Sequence, residues 1–181
     1  MAQPVGPAVK SSTVLTLAAI SGVPVLTALG FALTVHPHAR DVGFSEQGVT
    51  VAMHLSDDGK HLLTTFTPQR PGFHLYSVGL PADGIQGLGR PTRVEVAGAL
   101  RSRGPLTAEA PVRMLPMQGT DVTFPVYPDG AVTTELPVDV DSQGTAKVLV
   151  SYAACSPQEC LMPVTGHPVD LTSSTLSAMR G

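Results

Sequence analysis

Cys155 and Cys160 are the only cysteines of the chain, and four residues separate them in Tyr152-Ala-Ala-Cys-Ser-Pro-Gln-Glu-Cys-Leu-Met-Pro163. A pair this close can bridge across a tight turn. The bridge would close a very short loop, which on the chain-entropy relation stabilises a fold by only about 2 kcal/mol. A bridge that adds so little stability points to redox chemistry. Thiol–disulfide exchange needs a thiolate, an accessible sulfur and a second thiol nearby to release the mixed disulfide, and this spacing supplies the second thiol. Pro157 and Pro163 stiffen the turn and limit its backbone donors. No Lys or Arg lies inside the motif to favour a thiolate, and Glu159 beside Cys160 disfavours one. Activation must then come from the fold or from a partner. The pair reads as an acceptor and relay of electrons rather than as a strong oxidant.

Two other readings of the same residues stay open. One is a static disulfide that ties a hairpin in a secreted β-domain. The other is a Cu(I) site, since Cys155, Cys160 and Met162 are soft ligands that Met114 and Met117 could join. Methionines also fill cores that lack aromatics. The histidines offer less. His36 and His38 precede the domain, His54, His61 and His74 fall on strands, and none has the helical spacing of a zinc motif. They read as surface or strand-edge residues. His167 is the one that the returning strand could bring toward the thiols. Tyr76 and Tyr152 read as sheet-packing residues, with an approach of Tyr152 to the sulfurs as a further option.

The elements that must position the cysteines are strands. Val49, Val51, Met53 and Leu55 share one face of an alternating segment, and Ser56-Asp-Asp-Gly59 is a hairpin turn into His61–Thr67. Phe73–Gly79, Thr92–Ala97, Val122–Tyr127 and Val132–Val140 follow as strands. Thr145–Tyr152 delivers the chain to Cys155, and Leu161–Asp170 returns beside it. The glycine-rich stretch Leu80–Pro91 has no Gly-Lys-Ser/Thr ending and no helical pattern after it, which excludes a phosphate loop. Residues 98–121, punctuated by Pro105, Pro111 and Pro116, read as a long excursion. About seven short strands with frequent turns and no convincing soluble helix specify an antiparallel β-sandwich.

Ahead of the strands, Val14–Val35 contains no charge and follows Lys10. A run of about 20 apolar residues can cross a bilayer, and the basic flank keeps its N-terminal side in the cytoplasm. It reads as one N-terminal hydrophobic helix, either an uncleaved anchor or a signal peptide cut near Ala28–Gly30 or Gly30–Ala32. The run lacks the amphipathicity of a soluble core helix. Residues 41–181 are then expected outside the cytoplasm, where disulfides persist. The expected organisation is 1–40 as leader or anchor plus linker, 41–172 as the redox domain and 173–181 as a flexible tail. Composition agrees. Hydrophobic residues make up 43% of the 181, enough for a core, while the net charge of −3 offers no basic patch for nucleic acid. The 18 glycines and 17 prolines disfavour helices.

Three features in order carry a family resemblance: Pro71-Gly-Phe-His-Leu-Tyr76, then Val126-Tyr-Pro-Asp-Gly-Ala-Val132, then a strand running into Tyr152-Ala-Ala-Cys-x4-Cys-Leu-Met-Pro163. Over residues 45–172 the chain resembles the disulfide bond corrector family, the N-terminal extracytoplasmic domain of DsbD-type thiol:disulfide interchange proteins. The resemblance implies an immunoglobulin-like fold. It implies electron relay between a membrane donor and periplasmic thioredoxin-like partners through a reversible Cys155–Cys160 pair. It also implies that Cys160 forms the mixed disulfide and Cys155 resolves it. No cofactor or resident metal is part of that chemistry. The family's capping loop carries an acidic-acidic-Phe-Tyr-Gly cluster that has no match in residues 108–124, where Met117 and Phe124 are the apolar candidates. The family's multi-helix membrane domain and thioredoxin domain are not in this sequence, so the expected donor is a separate membrane protein.

Overall fold

The computed structural model describes residues 41–117 and 121–180. The apolar segment 14–35 expected to enter the membrane lies outside the described residues. Among the described residues no helix is long and apolar enough to cross a membrane.

Among the described residues, thirteen strands and one helix follow in chain order: β1 (Val42–Glu46), β2 (Val49–Leu55), β3 (His61–Pro68), β4 (His74–Leu75), β5 (Arg93–Gly98), β6 (Leu100–Ser102), β7 (Thr107–Ala108), β8 (Arg113–Pro116), β9 (Thr123–Val126), β10 (Val132–Val140), β11 (Ala146–Tyr152), β12 (Ala154–Cys155), β13 (Val164–Leu171) and α1 (Ser173–Met179). The protein is an immunoglobulin-like antiparallel β-sandwich. One sheet runs β1-β2-β3-β10-β6, with β7 also paired to β10; the facing sheet runs β13-β11-β5.

Alternation builds both inner faces, because successive side chains of a strand point to opposite sides. Val49, Val51, Met53 and Leu55 of β2, Leu62 and Phe66 of β3, and Val132, Leu136 and Val138 of β10 are buried on one side of the core. Ala146, Val148, Val150 and Tyr152 of β11, with Val94 of β5, meet them from the other. Phe66 and Tyr152 join the two layers edge to face, with ring centroids 5.6 Å apart. The Tyr152 hydroxyl donates to the carbonyl of Glu46 on β1 at 2.8 Å. The expected hairpin between β2 and β3 is present. Gly59 takes a φ of +68° there, a conformation that favours glycine, and Asp58 accepts from the Ser56 hydroxyl and the Lys60 amide.

β1, whose Val42 and Phe44 pack against the core, opens the domain. Three expectations are corrected. The strand expected over 73–79 is regular only at β4, since its backbone is shared between β12 and loop partners on the β9 side. The excursion over 98–121 carries β6, β7 and β8, because short segments there find open edges of β10 and β9. The flexible tail is a helix. Thr172 caps it by accepting from the Thr175 amide at 3.1 Å, and Leu176 and Met179, three apart, are buried against the sandwich.

Candidate redox site

β11 ends at Tyr152, and the chain steps through Ala153 into β12, which pairs with β4: Ala154 opposes Leu75 and Cys155 opposes His74. It then reverses at once. The Ser156 amide donates to the Glu159 carbonyl at 2.7 Å, and the Leu161 amide donates to the Ala154 carbonyl at 2.9 Å. Pro157 and Gln158 form the tip, and the Ser156 hydroxyl accepts from the amides of Gln158 and Glu159, each at 3.2 Å. Cys155 and Cys160 are thereby placed directly opposite one another, flanked by hydrogen-bonded positions on both sides. Such non-hydrogen-bonded antiparallel pairs bring Cα atoms within about 4.5 Å; here the separation is 4.0 Å, and the sulfurs are joined in a disulfide. A four-residue spacing is what a two-residue tip with one flanking pair requires.

The two sulfurs live in different surroundings. Cys155 is 4% exposed and belongs to an apolar cluster with Tyr76, Leu80, Val122, Phe124, Val126 and Ala153. Cys160 is exposed at the outer side of the turn. The cluster is roofed by the β8–β9 hairpin, where Phe124 meets Tyr76 edge to face at 5.4 Å and Leu115 and Met117 pack alongside. The two apolar candidates of the region without a capping motif, Met117 and Phe124, thus both lie at the cysteine cluster.

Tyr76 is the aromatic residue at the sulfur. Its hydroxyl lies 3.5 Å from Cys155 Sγ, close enough to donate a hydrogen bond to it. Burial pushes the phenol's pKa upward, so it keeps its proton as a donor. Thr92, buried, donates to the Tyr76 carbonyl at 2.7 Å. Gly89, at φ +77°, passes so close that a Cβ there would stand 3.1 Å from the Tyr76 ring. The option that Tyr152 approaches the sulfurs is not realised: its hydroxyl goes to Glu46. Nor does His167 turn toward them; its ring stacks on Phe44 at 3.6 Å and its Nδ1 lies 2.6 Å from Glu46 Oε2.

The charge beside Cys160 is not left alone. Arg70 Nη1 donates to Glu159 Oε1 at 2.6 Å, and the same guanidinium lies 4.5 Å above the Phe73 ring. The pair is half exposed, and exposed ion pairs add little stability, but this one neutralises the carboxylate next to the exposed sulfur. Arg70 stands 89 residues from Glu159 in the chain, a partnership that sequence spacing cannot reveal.

His74 departs from the expected strand-edge role. It is 2% exposed, two residues before Tyr76, with Cys155 opposite it on one side. On its other side Asp129 Oδ1 lies 3.4 Å from Nδ1, too poorly aligned to satisfy that nitrogen with a hydrogen bond. Arg113 Nη2 binds the same carboxylate at 2.6 Å. Burial lowers the pKa of His74, Asp129 opposes that shift, and Arg113 adds to it, so the ring is neutral at pH 7.

No protein-family profile and no curated protein sequence matches the chain. Among solved structures, the reduced form of the N-terminal domain of DsbD from Neisseria meningitidis matches with a TM-score of 0.46 and 12% identity, over 70% of this chain and 86% of that one.

Proposed function

We propose that the chain is an extracytoplasmic thiol–disulfide exchange module that relays electrons through a reversible Cys155–Cys160 disulfide. The observation that carries this reading is the asymmetry of the bridge: one sulfur is exposed on a turn, the other sits in an apolar cluster beside a tyrosine hydroxyl. An attacking thiolate reaches Cys160. Cys155 leaves into a site with a hydrogen-bond donor in place, and stays at hand to resolve the mixed disulfide. A bridge serving only as a staple has no use for that division. The motif resemblance supports thioredoxin-like extracytoplasmic proteins on one side and a separate membrane electron donor on the other. Residues 14–35 would direct the domain across the membrane, as anchor or cleaved leader, and residues from 41 onward would form the redox domain.

Trapping tests the reading. Cys155→Ala leaves Cys160 as an exposed thiol and is expected to capture a thioredoxin-like protein as a stable mixed disulfide. Cys160→Ala leaves only the buried thiol and is expected to capture far less. Failure of both variants to capture, together with a reduction potential below about −300 mV, would overturn the relay in favour of a structural bridge.

A further inference from the structure

We infer that His74, backed by Asp129, is the positioning residue that controls the proton on Cys155 during exchange. The inference rests on the relay reading above and extends it to a residue outside the cysteine motif.

The geometry is a row across one face of a small sheet. Cys155 on β12 opposes His74 on β4. Beyond β4, the Gly130 amide donates to the Phe73 carbonyl and the Tyr127 amide to the Leu75 carbonyl, which sets Asp129 beside His74. Arg113, on β8, binds the same Oδ1 of that carboxylate at 2.6 Å. Directly opposed side chains of an antiparallel pair share a face, with Cβ atoms about 5 Å apart. The ionisable groups around the ring are Cys155 from β12, Tyr76 just after β4, Asp129 from the β9–β10 loop and Arg113 from β8. Of these, Asp129 is half exposed and connects the row to water.

A buried imidazole with an unsatisfied nitrogen is unfavourable unless something uses it. The disulfide form has no charge for it to answer. Reduction creates one. A partner thiolate attacks Cys160 Sγ and bonds to it; the Cys155–Cys160 bond breaks, and its electron pair leaves on Cys155 Sγ. That charge arises in an apolar cluster, where among the described residues the Tyr76 hydroxyl is the donor within reach. His74 then takes a proton from water by way of Asp129 and offsets the charge as imidazolium. When the partner's second thiol, having lost its proton to water, attacks the mixed disulfide, the partner is oxidised, Cys160 leaves as a thiolate and takes a proton from water, and His74 passes its proton to Cys155. Two electrons and two protons have entered the chain. In the reverse direction His74 draws the proton off Cys155 before it attacks.

The test isolates Cys155 in the Cys160→Ser chain and follows its thiolate by ultraviolet absorbance against pH. Adding His74→Gln is expected to raise the pH at which the thiolate appears by about one unit or more. Adding Asp129→Asn is expected to move it the same way, because the imidazolium loses its carboxylate. Superimposable titrations in both backgrounds would overturn the inference. Should His74→Gln fail to fold, as judged by circular dichroism, the half-exposed Asp129→Asn decides alone. The titration needs no partner protein, so it separates from the relay reading. A shift without partner capture supports the proton link and overturns the relay; capture without a shift leaves the relay standing and overturns the role of His74.

Discussion

The Tyr76 hydroxyl lies 3.5 Å from the sulfur of Cys155, inside a buried apolar cluster. Hydrogen bonds to charged groups contribute about 1.5–3 kcal/mol, and this one strengthens as Cys155 gains charge. Tyr76→Phe keeps the ring and its edge contact with Phe124. The expected outcome is a roughly tenfold slower reduction of the disulfide by a small dithiol, with little change in thermal stability. Stopped-flow reduction kinetics beside a melting curve checks it. An unchanged rate would mean that the hydroxyl only packs.

Opening the bridge should leave the sandwich folded. The loop closed by Cys155 and Cys160 is short, so reduction is expected to lower stability by about 2 kcal/mol or less, while the interlocking of β2, β3, β10 and β11 is untouched. Denaturant unfolding with and without reductant measures this. Collapse on reduction would make the bridge a structural necessity and remove the physical basis of a reversible carrier.

His74 predicts a pH dependence of stability. Burial holds its folded pKa below the ordinary 6.5. Below pH 6.5 the unfolded chain binds a proton that the folded chain does not, so stability falls with decreasing pH down to the folded value, by at most about 1.4 kcal/mol per pH unit. Above 6.5 both states are neutral and the contribution is flat. His74→Gln is expected to remove this slope, read as the difference between unfolding free energies at pH 7 and pH 5. A parallel loss in both proteins would assign the slope to other groups.

The C-terminal helix gives a purely structural prediction. Met179→Ala removes a fully buried side chain and is expected to cost about 2–5 kcal/mol. Thr172→Ala removes the cap and is expected to cost about 1 kcal/mol. Both are read by chemical denaturation. A neutral Met179→Ala would mean that α1 is only loosely attached.

How much of this was legible in sequence follows from the range over which each signal acts. The period-two alternation of Val49–Leu55 is local, and the face it predicts is the buried one; Val132–Val140 is likewise legible as a strand. The Cys155 to Cys160 spacing is local too, and it becomes a tight hairpin. The α1 helix is hard to read in sequence because Ser173-Ser-Thr-Leu-Ser-Ala-Met is small and polar; Thr172 as a cap and the Leu176/Met179 spacing are its weak signals. Tyr76, His74 and Arg70 reach the cysteine site only through strand register and loop closure. Nothing in their own neighbourhoods distinguishes Tyr76 from Tyr152, which packs in the main core and bonds to Glu46. One-residue register differences exchange the faces of a strand, so contacts of this kind are settled by the fold alone.

The Pro157–Gln158 tip has a kinetic consequence. Because so little chain joins the two sulfurs, a freed Cys155 thiolate remains next to Cys160, at an effective molarity far above that of any solute. Any adduct at Cys160 is therefore short-lived in the intact protein. Visiting molecules are released within moments of being engaged, which suits a carrier that must serve many in turn and never hold one.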